Sequence, residues 1–247
     1  MEGLIIFNKP PKLTSNQIVN FFKKKFNVKV GHGGTLDPLA NGLLIIGLGR
    51  ATKDLKFFLV NSKKTYLVTA IIGLKSVTYD IEPVLANETS KFKIDCSSLP
   101  SAEKIKEVLK TFHGPILQSP PLFSALKFKG KPLYKLARNS TKNNLSLPQR
   151  LVKIYQINFL EYKILKEKDI DKLNLNLKMD NTLGLLKFET IVSSGTYVRS
   201  LVNELGEKIN CGACLFSLLR KEIEIENKNF YDKYGCSIFN VNQSLSF

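Results

Sequence analysis

Residues 31–49 read GHGGTLDPLANGLLIIGLG, a glycine-rich loop with one carboxylate that runs straight into an apolar strand. Its spacing argues against a nucleotide-triphosphate site. The order G-x-x-x-x-G-K-[ST] is absent, because the lysine of GLGRATK stands four residues after Gly49, and no G-x-G-x-x-G opens a helix after a strand. Taken alone, Gly31, Gly33, Gly34 and Gly42 suit a surface turn that needs positive φ, with Asp37 as a turn former before Pro38. Leu36, Leu39, Ala40, Leu43 and Leu44 argue instead that the loop presses onto a core. A carboxylate in that position requires a cation or hydrogen-bond donors.

Working outward, GLIIFNKP (residues 3–10) is a short buried strand stopped by Pro10 and Pro11. A helix follows, capped by Thr14 or Ser15, with Ile18, Val19, Phe22 and Phe26 at helical spacing and Lys23, Lys24 and Lys25 toward solvent. ATKDLKFFLVN (51–61) places Leu55, Phe58 and Leu59 on one helical stripe, and KTYLVTAIIG (64–73) is a strand by its β-branched and aromatic content. Ser76 to Leu99 reads as a polar connection. PSAEKIKEVLKTFHG (100–114) is a helix with Pro100 before its start, Glu103 in its first turn and Gly114 past its end. Segments 151–164, 172–179 and 185–193 alternate with period two, TYVRSLVNELGEKIN (196–210) is helical, and LFSLLRKEIEIE (215–226) is a strand. Helices and strands intermingle without a regular repeat, so the expected fold is α+β with a mixed, mainly antiparallel central sheet flanked by helices.

At 247 residues and 43% hydrophobic content the chain supports a real core. Its formal net charge of +16 favours a nucleic-acid partner over an anionic membrane surface. No apolar run approaches the roughly 18 residues needed to span a bilayer, and MEGLIIFNKPPK lacks the apolar core of a signal peptide. The cysteines at 96, 211, 214 and 236 form no even framework, so a reducing cytoplasm is expected. Cys211 and Cys214 read as small residues flanking a tight turn at Gly212 and Ala213. With only His32 and His113 as imidazoles, no metal site is expected.

GLIIFNKP, GHGGTLDPLANGLLIIGLGRATK, KTY, HGPILQSPPLFSALKFKGKPLYKLAR and SSGTYVRSLVNELGEKINCGACLFSLLR occur in an order that closely resembles the bacterial TruB family of tRNA pseudouridine synthases. The likeness spans most of residues 3–139 and 193–220. It implies the pseudouridine synthase fold and a cofactor-free isomerisation of uridine 55 in the tRNA T loop. The base is flipped out, its N-glycosidic bond is broken, and the uracil is rejoined through carbon 5. Asp37 matches the catalytic carboxylate, which attacks covalently or takes a ribose proton. Arg199 matches the arginine that pairs with it. Tyr66 matches the tyrosine that stacks on the base and accepts the carbon 5 proton, directly or through water. His32 matches a histidine that fills the place of the flipped base, Leu218 an apolar wall of the base pocket, and Lys9 with Pro10 a brace for the active-site loop. Thr78 and Asp80 resemble part of a further motif, in which Pro83 stands where the family usually has glycine.

The same resemblance makes residues 124–150 a basic insertion that clamps the T arm through Lys127, Lys129, Lys131, Lys135 and Arg138, with tRNA as partner and no guide RNA. The expected organisation is a catalytic domain over 1–220 and a short extension over 221–247, too short for a PUA-type domain, in a monomer. A nucleoside glycosidase and a catalytically silent RNA-binding protein are the competing readings. A guide-RNA-dependent relative acting on ribosomal RNA is a third.

Overall fold

The computed structural model describes residues 1–60, 62–86, 88, 91–94, 96, 98–124, 126–128, 130–133, 147–173, 175, 182–234, 237–240 and 242. Its centre is one mixed sheet. In spatial order it runs β1 (Gly3–Lys9), β3 (Asn41–Leu48), β12 (Ala213–Ile225), β4 (Ser62–Ile72), β11 (Gly184–Ser193), β10 (Arg150–Ile164) and β7 (Gly114–Gln118). Two further strands attach to it, β2 (Val30–His32) beside β3 and β13 (Ile238–Asn240) beside β12. Every ladder in it is antiparallel except the meeting of β3 and β12, a short parallel contact of Leu219 with Asn41 and Arg220 with Gly42. Gly42 has φ +102°, and a Cβ there would collide with the carbonyl oxygen of Arg220, so this crossing requires glycine.

β3 is buried on both faces, which explains its unbroken apolar run. Leu44, Ile46 and Leu48 join Phe7, Ile18 and Phe22 under α1 (Ser15–Phe26), with α4 (Ala102–Lys110) and α6 (Val198–Lys208) covering the same face. Leu43 and Ile45 join Leu55, Phe58, Phe230 and Phe239 on the other face, against α2 (Lys56–Leu59) and α7 (Lys228–Tyr234). Thr14 caps α1 in a reciprocal box with Gln17, as its sequence requires. β12 runs through residue 220 without a break, so residues 221–225 belong to the central sheet.

Several expectations change. Residues 51–61 do not form one helix: a 3₁₀ turn (Gly49–Lys53) precedes the short α2, and Leu59 turns outward, 52% exposed, while Phe58 is fully buried. The connection after Ser76 is structured. β5 (Leu74–Ser76) pairs with β6 (Phe92–Ile94), α3 (Glu82–Leu85) lies between, and buried Leu74 and Ile81 anchor them. α4 ends at Lys110, and Gly114, at φ +100°, opens β7 instead of closing the helix. α5 (Glu167–Lys172), with Ile170 in a core cluster, ends on the first residue of the expected strand 172–179. Residues 174 and 176–179 of that segment lie outside the described residues. A disulfide joins Cys96 to Cys211 across 115 residues of sequence, correcting the expectation of no cysteine framework. Tertiary proximity, which spacing does not encode, brings their Cα atoms to 4.5 Å. Cys214 is free and buried. Among the described residues no helix is long and apolar enough to cross a membrane.

Candidate active site

Asp37 sits at the tip of the loop between β2 and β3, and its neighbours are gripped from two sides. Ser15, the first residue of α1, accepts from Leu36 N at 2.9 Å and donates to Leu36 O at 3.0 Å. Lys9 Nζ donates to Leu13 O at 2.6 Å, Pro10 O at 3.0 Å and Pro38 O at 3.4 Å. Lys12 N donates to the same Pro38 carbonyl. A fully buried ammonium thus holds the loop by its backbone carbonyls. Burial pulls that ammonium down to about 8, with the charge of Asp37 acting the other way.

Arg199 enters from the first turn of α6. That turn is fixed by Gln118, whose Oε1 accepts from Tyr197 N at 2.8 Å, and by Ser200, whose hydroxyl donates to Ser119 O at 2.8 Å. Arg199 Nη2 donates to Asp37 Oδ1 at 3.1 Å, while Nε stands 2.9 Å from Oδ2 as an ion-pair contact. Its side chain is 5% exposed and that of Asp37 34%, so the guanidinium is sealed while the carboxylate faces the cleft. Asp37 and Arg199 are 162 residues apart in sequence, and the fold joins them.

The guanidinium has a second carboxylate. Nη1 donates to Asp80 Oδ2 at 3.1 Å and to Thr78 O at 2.9 Å, and Nη2 also donates to Phe123 O at 3.0 Å. Asp80, 4% exposed at its side chain, accepts further bonds from Thr78 Oγ1 at 2.7 Å and Glu82 N at 3.2 Å. Burial raises its carboxyl above the usual range, and Arg199 and Thr78 oppose that shift. Backbone bonds from Leu215 N to Tyr79 O and from Ile81 N to Leu215 O rivet this turn to β12. Pro83 is accommodated within α3, so its presence in place of glycine leaves the turn intact.

Tyr66 on β4 and Leu218 on β12 share the inward face and are each 6% exposed. With Asp37, Arg199, Leu36 and Val198 they line a cleft of about 420 Å³. Tyr197, Lys64 and Arg220 line it too, three residues to which the sequence reading assigned no role. His32 is placed elsewhere. It lines a second cavity of about 830 Å³ on the other side of the Asp37–Arg199 pair, with Thr78, Asp80 and Glu82. Its Nδ1 is buried without a hydrogen-bond partner, and burial lowers the imidazole, helped by the charge of Arg220. Of the basic insertion, Lys127 and Lys131 lie on the paired strands β8 (Lys127–Phe128) and β9 (Lys131–Pro132). Lys129, Lys135 and Arg138 lie outside the described residues. No group of three or more metal-binding side chains occurs among the described residues.

A family model for the N-terminal domain of TruB family pseudouridylate synthases matches residues 20–198. The chain is 36% identical over 223 residues to the tRNA pseudouridine synthase B of Francisella tularensis, covering 90% of this chain and 65% of that protein. It is 37% identical over 222 residues to the protein of that name from Syntrophus aciditrophicus, covering 90% and 62%. It thus spans slightly less than two thirds of the length of these relatives. A chain in the crystal structure of a Cbf5-Nop10-Gar1 complex superposes with a TM-score of 0.59 at 25% identity, covering 97% of this chain and 60% of the other. A chain of an archaeal box H/ACA sRNP Nop10-Cbf5 complex gives 0.55 at 24%, covering 95% and 56%, a likeness of fold. The family model spans well over half of the sequence, and the chain belongs to the TruB family of pseudouridylate synthases.

Proposed function

We propose that this chain isomerises a uridine of tRNA to pseudouridine, and that its target is uridine 55 of the T loop. The observation that carries the reading is the cleft in which a half-open carboxylate, Asp37, is held by a sealed guanidinium and walled by an aromatic and an aliphatic side chain. Such a cleft suits a flipped base: Tyr66 supplies a stacking face worth about 1–3 kcal/mol and Leu218 the opposing wall. Asp37 then meets the ribose, where it either bonds to C1′ as N1 leaves and is displaced when C5 bonds to C1′, or takes a ribose proton and returns it once C5 is attached. The N1–C1′ bond breaks and C1′–C5 forms. The C5 proton leaves to Tyr66, directly or through water, and a proton is gained at N1, so the RNA keeps its mass. The chemistry needs no cofactor.

His32, facing the second cavity, takes the place that the everted base vacates. Lys127, Lys129, Lys131, Lys135 and Arg138 clamp the T arm through its phosphates, without a guide RNA. The protein acts as a cytoplasmic monomer, with residues 1–220 supplying the catalytic groups and 221–247 a short extension, of which 221–225 and 238–240 join the sheet.

The test is an unmodified T-arm stem-loop tritiated at uridine C5. Tritium passes to water with the native protein and not with Asp37→Asn, and the RNA mass is unchanged. Release of free uracil would establish a glycosidase instead. Equal release by Asp37→Asn would remove the carboxylate from the mechanism.

A further inference from the structure

Two cleft residues have no part in the chemistry above. Lys64 is 6% exposed and Arg220 1%, and among the described residues neither is paired with a carboxylate. Lys64 Nζ donates to Phe58 O at 2.9 Å, Ser62 Oγ at 2.9 Å and Ser194 Oγ at 3.0 Å. Arg220 Nε donates to Leu43 O at 2.7 Å and Nη2 to Gly34 O at 3.1 Å. Neutral oxygens satisfy N–H groups but cancel no charge, and a buried, unbalanced ion costs several kcal/mol. The imbalance is felt nearby. Burial and then the charge of Arg220 lower the ammonium of Lys64 to about 7, and the same guanidinium lowers His32 and Lys9.

The space in front of these cations is kept open. Gly34 adopts φ +122°, and a Cβ at that position would stand 3.6 Å from Arg220 Nη1 and 3.9 Å from Lys64 Cε. Both residues flank the stacking tyrosine: Lys64 lies two positions before Tyr66 on the same face of β4, and Arg220 is its cross-strand partner on β12. The cleft is therefore lined both by the carboxylate of Asp37 and by two cations that have no counter-charge among the described residues. A nucleotide has the matching polarity, since its ribose carbon becomes electron-poor as the base departs and its phosphate is always anionic.

We propose that Lys64 and Arg220 form a seat for one phosphodiester of the substrate RNA, the linkage next to the everted uridine, with Arg220 Nη1 as the donor and Lys64 behind it, its proton retained when the anion binds. The inference rests on the RNA reading above and adds which side chains of the cleft take the backbone.

The experiment measures Kd, in the Asp37→Asn background, for T-arm stem-loops in which single phosphodiesters are replaced by neutral methylphosphonates. Neutralising a linkage that flanks the target uridine is expected to weaken binding about tenfold, against about twofold elsewhere in the loop. In Asp37→Asn/Lys64→Met the difference disappears, with circular dichroism reporting the fold. Equal losses at every linkage with Lys64 present overturn the seat, as does a tenfold difference that survives Lys64→Met. Should Lys64→Met fail to fold, the series with Lys64 present decides alone. Tritium release by the native protein separates the two failures: release without the tenfold difference refutes the seat only, and no release refutes the functional reading and the seat with it.

Discussion

Arg199 and Arg220 are the two buried arginines of the cleft, and they are used in opposite ways. Arg199 is bracketed by Asp37 and Asp80, so its charge is spent inside the protein and what remains is geometry. Among the described residues Arg220 meets only carbonyl oxygens, so its charge is left over. One guanidinium positions a carboxylate; the other leaves a field for an anion to answer. A buried ion without a partner is costly in the free protein, and that cost marks a site completed by its ligand.

The widest separation between the two should come from Arg199→Ala. Turnover is expected to fall about 10³-fold while RNA affinity stays within about threefold, because the interaction lost serves the reacting carboxylate. An equal loss of affinity, read by filter binding, would erase the distinction between the arginines. Asp80→Asn keeps the volume and removes one of the two counter-charges. It should lower kcat about 10²-fold and destabilise the fold by roughly 1–3 kcal/mol in denaturant titrations, since Arg199 then keeps one carboxylate.

Lys64→Met sharpens the other half through stability. Folding lowers Lys64 from 10.5 to about 7, so between those values the unfolded chain binds the extra proton and native stability rises with pH. Below about 7 both states carry the proton and the penalty is fully present. Lys64→Met should flatten the rise between pH 7 and 10 by up to about 1.4 kcal/mol per pH unit, read from urea midpoints. Lys9, lowered to about 8, leaves a residual slope of the same sign. An unchanged slope would mean that Lys64 is neutralised by a group not seen in the fold. The smallest effect belongs to Gly34→Ala, which puts a methyl group at the opening at a strained φ. It should cost about 1–2 kcal/mol of stability and weaken RNA binding about threefold.

What the sequence disclosed follows the range over which each signal acts. Asp37 was legible because a carboxylate among apolar residues demands a partner, and Lys9 and Arg199 because the order of motifs names them. Asp80 was singled out with Thr78 as part of a further motif but its pairing was not legible, since its partner Arg199 is 119 residues away. Arg220 lies inside the expected strand 215–226 with no role assigned to it; in the fold it is 1% exposed, where β12 meets β3 at Gly42. Lys64 belongs to a clear alternation, which assigns it a face but not an environment. The strands and most helices were visible as periods of two and 3.6. The insertion of β12 between β3 and β4, and the pairing of Cys96 with Cys211, are tertiary facts with no local trace.

Phe58 belongs to two assemblies at once. Its ring lies edge-on to Phe230 at 5.3 Å and tilts against Phe239 at 5.4 Å, while its carbonyl accepts from Lys64 at 2.9 Å. The aromatic wedge formed by the last described helix and strand thus buttresses the cleft floor from the rear. Severing the polypeptide after Ile225 would spare every side chain that lines the cavity and still slacken its hold on nucleic acid, a loss that inspection of the pocket alone would never reveal.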